Sequence, residues 1–454
     1  MKAAERIAHF ACGFQTRQLT ADLLHATGRA LVDTYACAIA GCHEPASQLA
    51  LQYARASALP APGRAASHWG SGERLPLELA ALCNGVAGHV LDFDDVTSPL
   101  RGHPSIALLP ALLGLAEASD TDGAELVCAY VVGFEVICKL SKAMALKHYA
   151  RGWHSTASIG TLAAAVACAR LLRLDVARTT HAIGLAVAQA AGTRANFGTH
   201  AKSFQAGHSN AAGLRAALLA AEGFDAAPGV LDDAFGYVDL YGHGESLQAQ
   251  LATLGQGPLE LISSGIEVKK YPLCYATHRT LDGVLDLRAE QGLALADVQT
   301  VHVRTSAGAL TPLIHTRPQT GLEAKFSMQY AVAAALLDGD VRLSSFTDAA
   351  VQRPEAQTFF VQVSTDDSGD GPAFPRWADI TLTLRDGQTL QRRVDQLRGS
   401  AEAPLTLAEL RSKLQDCLAW GQARADVDRL VSGALALDRT SARQWLAAAA
   451  TSQT

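Results

Sequence analysis

The sequence predicts a mainly α-helical protein in which a smaller α+β unit interrupts a large all-helical domain. Three observations carry this. Up to about residue 265 the chain is rich in Ala, Leu and Gly, with apolar positions at helical spacing; near 267 alternating strand patterns begin; after Pro404 the pattern turns helical again. The boundaries that follow are 1–266 and 401–454 for the helical domain and 267–400 for the inserted unit. A chain of 454 residues is long enough for two or three compact units at roughly 150 residues each.

In the first segment Leu31, Tyr35 and Ile39 recur at near-helical spacing, as do Leu126, Tyr130 and Phe134. GTLAAAVACARLL (160–172) and HAIGLAVAQAAG (181–192) are apolar nearly all round, which places such helices inside a helical core. In VQTVHVRTSA (298–307), Val301 and Val303 alternate with His302 and Arg304, the pattern of a half-buried strand. KFSMQYAVAAALLDG (325–339) reads as a helix ended by glycine. DITLTLRDGQTLQRRV (379–394) places Asp386-Gly387 between two alternating runs, a hairpin signal. Thr406 followed by Glu409 forms a capping box, and Leu407, Leu410, Leu414 and Leu418 share the face of the helix it starts.

Composition narrows the function. Hydrophobic residues make up 49% and charged residues 18%, too apolar a mixture for a disordered chain. A net charge of -6 argues against nucleic acid or an anionic membrane as the main partner. The apolar segments fall short of the ~18–20 residues that span a bilayer, and MKAAERIAHF shows no secretory signal, so the expectation is a cytoplasmic protein with no membrane association. The cysteines at Cys12, Cys37, Cys42, Cys83, Cys128, Cys138, Cys168, Cys274 and Cys417 are odd in number and form no CxxC pair. That pattern fits reduced core thiols better than disulfides, a zinc site or an iron–sulfur cluster. No GxxxxGK[ST], HExxH or strand–GxGxxG–helix motif is present, and GHSNA (207–211) only partly resembles a nucleophile elbow.

Four strings remain as carriers of chemistry. HVLDFDDVTSPLRGHPS (89–105) sets Asp92, Asp94 and Asp95 between His89 and His103. On a helix His89, Asp92 and Asp95 would share a face, with Asp92 placed to orient or charge a histidine; the plainer alternative is a solvated helix end with capping aspartates. GWHSTASIGTL (152–162) puts His154 just before an apolar helix whose first N–H groups favour an anion, unless the residues there only cap it. Lys202 lies in a stretch free of acids up to Glu222, which makes it available for a substrate carboxylate, although surface lysines are common. EVKKYPLCYATHRTLDG (267–283) gathers Lys269, Lys270, Tyr271, Cys274, His278 and Arg279 at the inferred boundary. Cation, phenol and imidazole together suit polycarboxylate binding with proton transfer, whereas Cys274 and His278 alone are too few for a metal.

Together these strings resemble the MmgE/PrpD family, which includes 2-methylcitrate dehydratases, cis-aconitate decarboxylases and iminodisuccinate epimerases. The resemblance rests on LVDTYACAIAG (31–41), NGVAGHVLDFDD (84–95), GHPS (102–105), the GWHS segment, GTHAKSFQAG (198–207), KKYPLCYATH (269–278) and KFSMQY (325–330), which occur in the family order. It implies a helical domain built from both ends of the chain, an α+β lid inserted in it, a homodimer, no metal and no organic cofactor, and a site between helical domain and lid. The family's active-site positions fall on Asp92, His103, His154, Lys202 and Lys269, with His278 close by.

Two departures bear on the reaction. Val96 precedes Thr97 where many relatives have Thr directly after the paired aspartates, and SAGALTPLIH (306–315) lacks the tyrosine of animal cis-aconitate decarboxylases. Dehydration of a 2-methylcitrate- or citrate-like acid is therefore the leading expectation, ahead of epimerisation of a small dicarboxylate and of cis-aconitate decarboxylation. In that reaction Lys202 and Lys269 clamp substrate carboxylates, with His278 and Arg279 also in the binding set. His103 is the first choice of base and His154 the second, Asp92 positions one of them, and the other histidine or Tyr271 protonates the leaving hydroxyl.

Overall fold

Small side chains let helices meet at backbone distance, and the helical part of this chain is built on such crossings. The structure, a computed structural model, describes residues 1–58, 64–242, 246–372, 374–449 and 452–453. It divides into one unit of Met1–Val268 with Leu410–Thr454 and a second of Lys269–Glu409.

In the first unit, α1 (Ala21–Gly41) starts where the Thr20 hydroxyl accepts from the Leu23 amide. It is followed by α2 (Leu77–His89), α3 (Pro104–Ser119), α4 (Gly123–Ala150), α5 (Ser155–Leu171) and α6 (His200–Ala221). Every residue of α5 is buried, as its all-round apolar sequence requires. Helices α2 and α6 touch at Gly85 and Gly207: a Cβ on Gly85 would lie 2.7 Å from Gly207 Cα, so no larger residue fits this crossing. The crossing lies near the C-terminus of α2 and the N-terminal part of α6, and brings those two ends together.

Helix α3 carries Pro110 in its interior. Proline lacks the N–H that would bond the Ile106 carbonyl. Asn210 of α6 supplies the missing donor, its Nδ2 lying 2.7 Å from Ile106 O, while its Oδ1 accepts from the Ala111 amide at 3.0 Å.

In the second unit, α7 (His278–Gln291), β1 (Val298–Thr305), α8 (Met328–Asp338), β2 (Val363–Asp367), β3 (Ala378–Leu384) and β4 (Thr389–Val394) form a four-stranded sheet with packed helices, in strand order β2-β1-β3-β4. β1 pairs parallel with β2 and antiparallel with β3, with Val301 opposite Leu382 and Val303 opposite Ile380. These four side chains are fully buried, whereas His302 and Arg304 face outward. The hairpin turns through Gly387 at φ 90°. α8 begins later than the predicted residue 325 because the Ser327 hydroxyl caps it, and it ends at Gly339 with φ 71°.

α9 (Leu407–Trp420) is opened by Thr406 and Glu409, whose side chains each accept from the other's amide, at 2.8 and 3.2 Å. Its Lys413 lies in the first unit and forms a buried ion pair with Asp33 of α1 at 2.6 Å. No helix among the described residues is long and apolar enough to cross a membrane. The cysteines are all unpaired thiols, and every one except Cys12 is buried.

Candidate active site

The string 89–105 supplies acids and imidazoles, but not on a helix face. α2 stops at His89, and Asp92 adopts φ 55°, a left-handed conformation that costs most L-residues about 1–2 kcal/mol and that Asp tolerates better than most. The predicted common face of His89, Asp92 and Asp95 is therefore corrected: aspartates compete with the backbone for hydrogen bonds and end the helix. The turn sends the carboxylates three ways. Asp92 Oδ1 accepts from Lys202 Nζ at 2.5 Å and lies 3.6 Å from His103 Nε2. Asp94 lies 2.9 Å from His89 Nδ1 and 3.1 Å from His103 Nδ1. Asp95 turns into the core, accepting from the Ser105 amide at 3.2 Å and from the Ser105 hydroxyl, which in turn takes a hydrogen bond from Tyr130 at 2.6 Å.

The loop is pinned from several sides. Lys413 Nζ donates to the Phe93 carbonyl at 2.8 Å, and Val96 exchanges backbone hydrogen bonds of 2.9 Å with Glu267. The hydroxyl of Thr97 is buried and donates to Gly265 O at 3.0 Å. His103 stands at the N-terminal boundary of α3, and its amide donates to the Thr156 hydroxyl at the start of α5.

Two layers result. The side chains of Asp92, His103 and Lys202 keep 10–12% exposure, while those of His89 and Asp94 behind them have 0%. Burial alone would push Asp94 up, but His103 and His89 together hold it well below the usual carboxylate range. Burial lowers His89 to about 4 against the pull of Asp94, so its ring is neutral near neutral pH. His154 stands at the N-terminal boundary of α5 and is also held well below the ordinary histidine value, by burial first and then by His89 and Lys202. Its Nδ1 lies 2.7 Å from Gln205 Oε1, its ring stacks 5.8 Å from that of His89, and Phe197 meets its face edge-on at 5.0 Å.

Lys202 is not the unpaired cation that its acid-free neighbourhood predicted. Its partner, Asp92, is distant in sequence and arrives through the α2–α6 crossing. The donor atoms of His89, Asp94 and His103 lie within 4.8 Å of one another, a grouping able to hold a divalent ion.

The remaining expected site residues belong to the second unit. Lys269 is 1% exposed. Tyr271 donates to Asp282 Oδ1 at 2.8 Å from within the apolar core, and burial followed by Asp282 raises its phenol strongly. That environment gives Tyr271 a structural hydrogen bond and makes it a poor proton donor, contrary to the acid role set out for it above. His278 is buried with Nε2 3.2 Å from Leu273 O, Arg279 Nε donates to Asp395 O at 3.3 Å, and Lys270 pairs with Glu409 at 3.1 Å. Sequence reasoning gave no role to Asp94, His89 or Gln205. The first two stood in the same conspicuous string, but Gln205 carried no signal.

Comparison with known proteins gives the family. Residues 5–250 match the family model described as the MmgE/PrpD N-terminal domain, and residues 271–437 match the MmgE/PrpD C-terminal domain. A cis-aconitate decarboxylase of Mus musculus is 28% identical over 444 residues, covering 94% of this chain and 89% of the relative. One of Homo sapiens is 28% identical over 89% of this chain and 85% of its own length. One of Aspergillus terreus is 26% identical over 87% and 85%.

Proposed function

Because the chain belongs to the MmgE/PrpD family, we propose that it is a cofactor-independent lyase that dehydrates a hydroxylated di- or tricarboxylate of the 2-methylcitrate or citrate type. The observation that carries this reading is a pair of imidazoles gathered on His89: His154 stacks on its ring at 5.8 Å, and His103, with Asp94 and Asp92 at 3.1 and 3.6 Å from its two ring nitrogens, meets it edge-on at 4.5 Å. A C–H beside a carboxylate is poorly acidic, and its loss builds enediolate charge. His154, neutral at working pH, takes that proton; Lys202 balances the charge; His103 hands a proton to the departing hydroxyl. Burial keeps His154 unprotonated and so able to accept the proton, and it takes the place of His103, the first choice drawn from sequence, as the base.

A second reading is supported by the relatives named above, all cis-aconitate decarboxylases. Decarboxylation ends by protonating carbon, which needs an acid where His154 offers a base, so dehydration is preferred. The test is to incubate the protein with citrate, 2-methylcitrate and cis-aconitate in heavy water and follow each by NMR. An alkene signal from a hydroxy acid is expected. Loss of carbon dioxide from cis-aconitate alone would establish the second reading, and deuterium uptake with inversion but no alkene would replace both with an epimerase.

A further inference from the structure

We propose that Gln205 is a positioning residue that locks His154 as the Nδ1–H tautomer and so makes Nε2 the atom that accepts the substrate proton. This rests on the reading of His154 as the base. The argument is one of donors and acceptors. Gln205 Nε2 lies 3.1 Å from the Thr193 carbonyl, which only accepts, so the amide nitrogen faces Thr193 and the amide oxygen faces His154. Two acceptors 2.7 Å apart require a proton between them, and only the imidazole has one to give. The lone pair is then on Nε2.

The surroundings hold both partners. Gln205 is 6% exposed. The His154 amide donates to Gly192 O at 3.0 Å. Gly192 has φ 116°, and a Cβ there would stand 3.0 Å from Gln205 Oε1 and 2.9 Å from Ala157 Cβ, so the strand of backbone beside the pair has room only for glycine.

A neutral amide also does something a carboxylate would not. The charged and titratable groups that act most strongly on His154 are His89 from α2, Lys202 from α6 and His103 from the start of α3. Each disfavours the imidazolium, the Gln205 hydrogen bond favours it, and the nearby carboxylates Asp92 and Asp94 are engaged by Lys202, His103 and His89. Gln205 therefore orients the ring without adding negative charge, where an aspartate or glutamate would orient it and raise its proton affinity.

Two substitutions and two readouts test this. In protein labelled with 15N-histidine, His154 should show a protonated Nδ1 and an unprotonated Nε2 at pH 7. Gln205→Leu should lose that single-tautomer pattern and lower kcat about 10–100-fold with little change in KM, the scale of effect that orienting partners of histidine show elsewhere. The isosteric Gln205→Glu should keep the tautomer and move the acid limb of the kcat/KM profile upward by about 1–3 pH units. It remains informative if the leucine variant does not fold. A wild-type tautomer pattern and kcat in Gln205→Leu, or an unmoved acid limb in Gln205→Glu, would overturn the inference while leaving the lyase reading intact. Full turnover by His154→Ala would instead remove the base assignment on which it depends.

Discussion

Replacing Lys413 by Met removes the ammonium that faces Asp33, whose side chain has 0% exposure. Breaking a buried pair costs about 3–5 kcal/mol because the surviving charge has no partner. An independent route gives a similar figure. Burial already pushes Asp33 up while Lys413 pulls it back, so without the lysine the carboxyl takes up a proton. Holding an Asp of ordinary pKa near 3.9 neutral at pH 7 costs about 4 kcal/mol. The lost hydrogen bond to Phe93 O adds about 1 kcal/mol. The sign of the pH dependence follows: in the variant the folded state carries a proton on Asp33 that the unfolded state lacks, so stability rises as pH falls. The penalty should shrink by about 1.4 kcal/mol per unit between pH 7 and pH 5. Urea unfolding of wild type and variant at pH 5, 6 and 7, followed by far-UV circular dichroism, measures it. A penalty below about 1 kcal/mol at pH 7, or one flat with pH, would refute the account of Lys413 as the counter-charge of a buried, ionised Asp33.

The other expectations concern the core and the chemistry. Asn210→Leu leaves both the Ile106 carbonyl and the Ala111 amide without their side-chain partner and should cost about 2–5 kcal/mol; an unfolding midpoint equal to wild type would show that α3 satisfies Pro110 in another way. His103→Ala should lower turnover by roughly 10²–10⁴ with the fold retained, and near-normal turnover in a folded variant would exclude proton transfer through His103. Exhaustive treatment with a strong chelator should leave activity unchanged. Loss of activity restored by one metal would reassign His89, Asp94 and His103 as its ligands.

What the sequence disclosed depended on the range of the interaction. Caps and turns are set by neighbours, so the Thr406–Glu409 box, the Asp386-Gly387 hairpin and the positions of His103 and His154 at helix starts were legible. The alternation of Val301 and Val303 with His302 and Arg304 likewise matches the buried and outward faces of β1. The aspartates were visible as chemistry but not as geometry, because one residue at positive φ, Asp92, redirects all that follows. Side-chain pairings across helices left no trace. Lys202 looked solitary because its counter-charge is held on another helix, and Gln205 looked ordinary because its meaning comes from Thr193 and His154 together.

The pairing of Lys202 changes how a polycarboxylate would be recognised. Despite the chain's net charge of -6, Lys202 reads from the sequence as a cation available to a substrate carboxylate, yet within the first unit it already has a carboxylate at 2.5 Å. A substrate carboxylate therefore gains only the difference between itself and Asp92 as partner for Lys202, not the full value of an ion pair. That difference is helped by two features. Asp92 occupies a left-handed backbone conformation, and His103 Nε2 stands 3.6 Å away as a second partner. For the proposed lyase, substrate binding is an exchange of carboxylates at Lys202, and the displaced Asp92 remains beside the imidazole assigned to protonate the leaving group.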